Sequence, residues 1–396
     1  MVRGGVLARM DYFVMLLTAL GRFFINPMLY LVLVIAVLLG YQRVKRERSH
    51  FHIRIQHGAT ELRSVIKEGL GYALLLSFIS IGVGLVVPTT FLLYWTAAML
   101  AVSLLFVVAS LSPVYTIALA LVAMTIVQYY ELPQYLGDGN LHGVAVQIII
   151  VTGLFVLIEG VLIRQTYRSG VSPVLQKTKR GLHAIVYRLR KVWLLPVLMV
   201  VPSGPLQALA PYWPQFPLGA SDFSFVLFPL VIGTALTSRK HLPDQVFQAY
   251  GKSVTALGIM LIMSAVGAWY LPEAFLIIMA AAVVLRIAIT VYFVWQQRAD
   301  SYAVAPSPKG IMIAAVLPNS PAEKMGLRLG ECIVKVNGQV VSNEDELYEA
   351  LQINAAYCKL EVLDYQQEMR QTQHAVFAED HYRIGIIAAD PHRRKR

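Results

Sequence analysis

Charge is scarce in this chain. Of 396 residues only 14% are Asp, Glu, Lys or Arg, against about a quarter in an ordinary soluble domain. Cysteine is nearly absent: Cys332 and Cys358 are the only two. That excludes a disulfide framework, and with no CxxC or Cys/His spacing it excludes a thiolate metal site. Both are expected to be buried as small hydrophobes.

Catalytic patterns are missing too. None of the nine histidines opens an HExxH, so a membrane zinc protease has no ligand set. Gly219-Ala220-Ser221-Asp222 fails as a GxSG serine site, ending in Asp. Ala249-Tyr250-Gly251-Lys252-Ser253 has the tail of a phosphate loop, but Val246 stands where its first glycine is required. The expectation is no enzyme, no catalytic residues, no metal and no cofactor.

What the chain has instead is apolar length: 57% of it is hydrophobic and its mean hydropathy is +0.59. The apolar residues fall in runs of about twenty, enough to cross about 30 Å of hydrocarbon. Nine such runs are predicted as spans: Phe24–Gly40, Leu70–Val87, Phe91–Ala109, Pro113–Tyr130, Val144–Ile163, Trp193–Ala210, Phe223–Thr237, Val254–Leu271 and Ala274–Trp295. Tyr12–Leu20 is shorter, followed by Arg22 and Asn26-Pro27, and reads as an interfacial or re-entrant piece. No small-x-small cleavage site follows the first run, so it is expected to be retained.

The net charge of +11 is unevenly placed. Connection 41–69 holds seven Lys/Arg, and connection 164–192 holds eight with no acid. The alternate connections 88–90, 131–143, 211–222 and 272–273 hold none and carry Glu131, Asp138, Asp222 and Glu273 instead. The positive-inside rule then places the basic connections and the C-terminus in the cytoplasm and the N-terminus outside. This distribution suits an anionic leaflet better than nucleic acid; topology alone accounts for much of it, and connection 164–192, where His183–Val192 could lie flat as an amphipathic segment, is read as a surface for membrane lipids or for a docking protein. Two charges fall inside runs, Glu159 and Arg286, and could pair.

From Asp300 the character changes. Pro306 and Pro308 stiffen a linker over 299–309. Gly310–Val316 (GIMIAAV) reads as a strand. Ser320-Pro321-Ala322-Glu323 places an N-cap, a first-turn proline and a capping-box Glu in order, and Gly326 stops that short helix. Cys332–Val336 is a strand leading into Asn337-Gly338, a type I′ hairpin signal. Ser342–Leu351 opens on a second capping pattern, and Lys359–Leu363 and His374–Phe377 are further strands around a polar turn at Asp364–Arg370.

This series, GIMIAAV, SPAEKMGL, LGECIVKVNGQ and DELYEAL, resembles a bacterial PDZ domain over 310–390, followed by a basic tail at 391–396. The fold class is thus a polytopic α-helical membrane domain, 1–298 with about seven to nine helices, followed by a small permuted α/β PDZ domain. The resemblance implies a groove that binds an extended peptide by strand addition. Its carboxylate loop is either upstream, at Tyr302-Ala303-Val304, or downstream, at Arg383-Ile384-Gly385-Ile386, where the expected glycine stands. Leu347 and Leu351 would line the helix side, and core packing explains both equally well.

The N-terminal FFINPMLYLVLVIAVLLGYQRVKRERSHFHIRI, a span ending in Gly-Tyr followed by a basic run with Phe-His, is similar to the start of the MinJ family of Firmicutes. That resemblance implies a non-enzymatic membrane adaptor of cell division, enriched at septa and poles. Its partners would be a DivIVA-like polar scaffold, a MinD-like ATPase and divisome components, so that FtsZ rings assemble at mid-cell. Nucleic acid is not among them, and oligomeric state is left open. Two other readings compete: a PDZ-bearing adaptor in secretion or regulated proteolysis, and a transporter regulated by its PDZ domain.

Overall fold

Asn26 ends one helix and starts the next. Its side-chain oxygen accepts the Met28 amide at 2.9 Å, and Pro27 takes the first helical position. The structure, a computed structural model, describes residues 2–130, 141–178, 183–207, 213–215, 220, 222–298, 301–354, 357–375 and 384–389, with side chains from 14 onward except at 141–143 and 205–207. In chain order come α1 (Val2–Ile25), α2 (Pro27–Phe51), α3 (Thr60–Val83), α4 (Thr89–Leu104), α5 (Pro113–Tyr129) and α6 (Leu141–Gly170). Three strands follow, β1 (Val171–Lys177), β2 (His183–Gln207) and β3 (Asp222–Ser238), then α7 (Pro243–Tyr270) and α8 (Phe275–Gln296).

Two expectations change here. Tyr12–Leu20 is not a separate interfacial piece: α1 runs through it and through Arg22 to Ile25. The sixth and seventh predicted spans, Trp193–Ala210 and Phe223–Thr237, are strands rather than helices. Five helices are long and apolar enough to cross a membrane, α2, α3, α6, α7 and α8, and three shorter apolar helices lie within α1, α4 and α5. The protein is a multi-pass membrane protein.

β1, β2 and β3 form one antiparallel sheet with β2 in the middle. It is dry on both faces, and Phe228–Thr234 is buried without a break. Sheets covered on both sides give continuous apolar runs, not alternation, and hydropathy therefore reads them as spans. α3 runs along the outer edge of β2. Glu68 meets Lys191 and Trp193, Gly69 faces the Leu194 carbonyl, and Ser77 meets Leu198. Phe228 pairs with Val197 in the ladder, on the face that carries Lys191 and Trp193, and there Trp95 of α4 stacks on it with ring centroids 4.8 Å apart.

A non-helical segment survives in hydrocarbon only if its backbone groups are satisfied by protein. Pro196 faces Pro229 across the β2–β3 ladder. Neither can donate, so this rung is one whose amide positions point outward from the pair. The same parity recurs. The Leu198 amide points out to Ser77 Oγ at 2.8 Å, and the Val200 carbonyl accepts the Val87 amide at 2.9 Å. Across the ladder, the Gly233 amide donates to the Leu111 carbonyl at 3.2 Å. The helices and their connections thus close both edges of the hairpin. The β2–β3 turn meets the end of α3, where Trp213 donates to the Ile81 carbonyl at 2.5 Å and the Gln215 amide to Val83 at 3.2 Å.

α6 and α7 pack through glycines seven apart on each, Gly153 and Gly160 against Gly251 and Gly258. A Cβ on Gly160 would lie 2.4 Å from the Thr255 nitrogen. Small residues let membrane helices approach this closely. Glu159 and Arg286 do pair, at 2.5 Å, with both side chains buried. Ser112 donates to the second Glu159 oxygen, and Arg286 also donates to Tyr250 and Thr290, so four elements meet at one ion pair. Arg43 holds Glu47 at 3.0 Å and Glu61 at 2.6 Å, and donates to the carbonyls of Ser169 and Val171 where α6 becomes β1.

The C-terminal unit contains β4 (Ile311–Val316), α9 (Pro321–Lys324), β5 (Cys332–Val336), β6 (Gln339–Val340), α10 (Glu344–Gln352), β7 (Tyr357–Leu363), β8 (Met369–Ala375) and β9 (Ile386–Ala388). Its sheet runs in the order β8-β7-β5-β4-β9, with β6 on β5. Ser320 Oγ caps α9 by accepting the Glu323 amide, and Asn337 and Gly338 both take positive φ, as a type I′ turn requires. α10 is capped one residue later than its first serine: Asn343 accepts the Glu346 amide at 2.8 Å, while the Glu346 carboxylate reaches back to the Ser342 amide. Of the predicted strand His374–Phe377, the last two residues lie outside the described residues. β8 itself starts at Met369, earlier than expected. Cys332 and Cys358 are free and buried.

Candidate peptide-binding site and its seam with the membrane domain

β9 ends the sheet beside β4, pairing Ile386 with Val316 and Ala388 with Ile313. Gly385 leads into it at φ +89°, and a Cβ there would lie 2.1 Å from the Ser320 Cβ, so only glycine fits. The turn is held by two backbone bonds, Leu317 to the Gly385 carbonyl at 2.8 Å and Ala322 to the Ile384 carbonyl at 2.9 Å. The downstream loop thus stands at the N-terminal end of an edge strand. Arg383, its first residue, lies outside the described residues.

The candidate lining residues divide. Leu347 and Ile384 are buried in the core of the unit with Ile313, Ile333 and Leu360. Leu351, Ile386 and Val316 are only partly buried and pack on that core from outside. An incoming peptide can touch these three without unfolding anything. Val316 was not among the residues expected from sequence; its pairing with Ile386 is the signal that places it there.

Tyr302-Ala303-Val304 is elsewhere. Val304 is fully buried and forms an antiparallel bridge with Ile185 of β2, whose amide donates to the Val304 carbonyl at 3.0 Å. The Ala303 amide donates to the Arg239 carbonyl at 2.8 Å. This upstream segment adds a rung to the membrane-domain sheet and fastens the unit to it. Within the predicted linker, Ala303 and Val304 are therefore docked.

The docking face follows from strand geometry. Side chains alternate across β4, so Ile311 and Ile313 enter the unit's own core while Met312 and Ala314 point the other way. The register shift between Ile313 and Ala315 turns Ala315 to that outer side as well. There Ala314, Ala315 and Ile387 pack on Phe51, Ile185 and Tyr187 of the membrane domain. Tyr187 donates its hydroxyl to the Ala314 carbonyl at 2.8 Å. Leu347 and Ala350 of α10 pack on the opposite face of the sheet, within the unit's own core.

Beside the seam lies a cavity of about 450 Å³, whose wall includes Tyr167, Arg168, Leu242, Asp244, Arg328 and Tyr365. The Tyr365 hydroxyl donates to the Leu329 carbonyl, and burial, with Glu331 nearby, pushes its pKa up to about 12. Glu331 is held by both its oxygens to Arg370, at 2.7 and 2.9 Å, and accepts the Arg328 amide, which fixes the turn before β5. Among the described residues no group of three or more His, Cys, Asp or Glu could hold a metal ion.

Comparison with known proteins matches residues 312–363 to a PDZ domain. The cell division topological determinant MinJ of Bacillus subtilis is 30% identical over 380 residues, covering 94% of each chain. The chain belongs to the MinJ family. A probable MinJ of Lacticaseibacillus paracasei is 25% identical over 280 residues, 68% of this chain and 75% of its own. The mouse serine protease HTRA3 is 43% identical over 53 residues, only 13% of this chain and 11% of its own. The protease likeness is therefore short and partial, whereas the MinJ likeness includes both the membrane domain and the PDZ domain.

Proposed function

We propose that this MinJ-family chain is a non-enzymatic membrane platform that helps position cell division. It bridges a polar or septal scaffold of the DivIVA type and a MinD-like ATPase. Its PDZ groove, between β9 and α10, takes an extended peptide from one partner, with Leu351, Ile386 and Val316 as the contact surface and the Ile384-Gly385-Ile386 turn facing the peptide's end. The observation that carries the reading is the likeness to MinJ along 94% of both chains, membrane domain and PDZ domain together. The positive-inside reading of the basic connections supports a PDZ domain on the cytoplasmic side, where such partners reside. A platform confined to the membrane also adds weak contacts together through effective concentration.

The test is localisation of a fluorescent fusion in growing rod-shaped cells, for the full chain, for residues 1–298 and for Leu351→Asp. Leu347 is unsuitable for this purpose, because it is core and a charge there unfolds the domain. The full chain is expected at septa and poles. The Leu351→Asp variant is expected to keep membrane insertion and lose capture of its peptide partner. A uniform membrane signal from the full chain would overturn the division reading in favour of an adaptor for secretion or proteolysis.

A further inference from the structure

The ends of β2, β3 and α8 nearest the PDZ domain enclose a second cavity, of about 420 Å³. Arg188, Arg190, Arg239 and Arg298 stand in its wall, and no acid does. Arg188 and Arg190 are two apart on β2 and so share one face of the strand. None of the four forms an ion pair among the described residues, and the one side-chain bond is a long one, Arg190 to Gln42 at 3.4 Å. The carboxylates of this end of the membrane domain are already engaged. Glu47 and Glu61 hold Arg43, and Glu68 holds Lys191. Arg46 stands against Arg188 and Arg190 from α2, and its buried Nε has no partner.

A second, independent feature points the same way. Gln297 lines this cavity and is only 3% exposed. Its carbonyl oxygen is used, accepting the backbone amides of Arg239 and Lys240 at 2.9 and 3.0 Å. Its Nε2 is a buried donor with no partner. Four like charges and an orphaned donor around one space call for an oxygen-rich anion. Guanidinium forks suit phosphate best. The C-terminal end of α8 opposes an anion with about half a charge, well short of four full positive charges. The wall also includes Val294, which continues into the exposed apolar residues Val291 and Trp295 of α8. A ligand seated here has its anionic end among arginines and an apolar path leading out along a membrane helix.

We infer that this cavity is a phosphate site for the headgroup of an anionic phospholipid of the cytoplasmic leaflet. The full-length protein, purified in detergent, is examined by native mass spectrometry with added phosphatidylglycerol or phosphatidylcholine, and with inorganic phosphate as competitor. Phosphatidylglycerol is expected to be retained in preference. R188Q/R190Q is expected to lower that preference roughly tenfold or more, since each arginine near the surface contributes appreciably to anionic lipid binding. R239Q/R298Q, which alters the other wall and leaves the backbone bonds of Arg239 in place, is expected to do the same, and carries the test if the first variant does not fold. K45Q/R63Q removes equal charge elsewhere and is expected to change little. Equal loss in that control, or no loss in either pocket variant, overturns the inference. Phosphate binding that depends on the four arginines, without any lipid preference, overturns the lipid assignment and leaves a soluble phosphoanion as the ligand.

Discussion

The protein contains two antiparallel sheets that meet opposite demands. In the PDZ sheet β7 alternates exposed and buried residues, one face on a core and one toward water. In the membrane-domain sheet β3 is buried through seven successive residues. The edges differ as well. β9 ends its sheet beside β4, whereas the β2–β3 hairpin has its outward-pointing groups taken by Ser77, Val87 and Leu111. A strand edge sealed by its own chain is structural, and one left at the end of a sheet is where a peptide can add.

The contrast is broken most severely at the membrane sheet. Lys191→Met takes from Glu68 the cation that holds it at 2.6 Å with a side chain only 1% exposed, leaving it the neutral donors Trp193 and Ser169. Losing one partner of a buried pair costs about 3–5 kcal/mol; the low end applies because Glu68 is 18% exposed. Thermal unfolding of the full chain in detergent should show the membrane-domain transition lowered, with K191M/E68Q recovering most of it. Gly233→Val comes next. A Cβ there would lie 2.5 Å from the Val108 carbonyl, so β3 must move off its closing segment. The expected loss is about 1–3 kcal/mol, read in the same melt. Ser77→Ala leaves the Leu198 amide without its acceptor, a loss of about 1–2 kcal/mol. A melt unchanged by both variants would mean that the hairpin edges are not closed as described.

The smallest effect sharpens the PDZ side. Burial raises the Cys358 thiol from 9.0 to about 12. The folded domain keeps the thiol neutral while the unfolded chain ionises it. That contribution is whole below about pH 9 and is lost as pH rises toward about 12. Cys358 should therefore resist thiol reagents at pH 8 until the domain unfolds, and rapid labelling of native protein would contradict its burial.

The two sheets also differ in how far they could be read from residues alone. The PDZ domain announced itself because its strands are short and each turn has its own chemistry: Ser320 capping α9, Gly326, and Asn337-Gly338. Even its error, the α10 cap at Asn343 rather than Ser342, is one residue. The hairpin was hidden because a strand dry on both faces and a spanning helix have the same hydropathy. The usable signal was proline. Pro196 and Pro229 lie well inside their runs, where a helix would lose a bond and clash, yet they face each other in the ladder at no cost in donors. At the candidate site, Gly385 was legible as a required glycine. Tyr302–Val304 was not, because its use depends on Ile185, more than a hundred residues away.

The sealed hairpin also has a temporal meaning. Its closing groups, Ser77, Val87 and Leu111, all precede it in the chain, as do Glu68 and Trp95. When β2 and β3 leave the ribosome, the slot that receives them has already been synthesised. The hairpin need never rest in lipid with open amides, and α7, arriving afterwards, closes against α6 through their paired glycines.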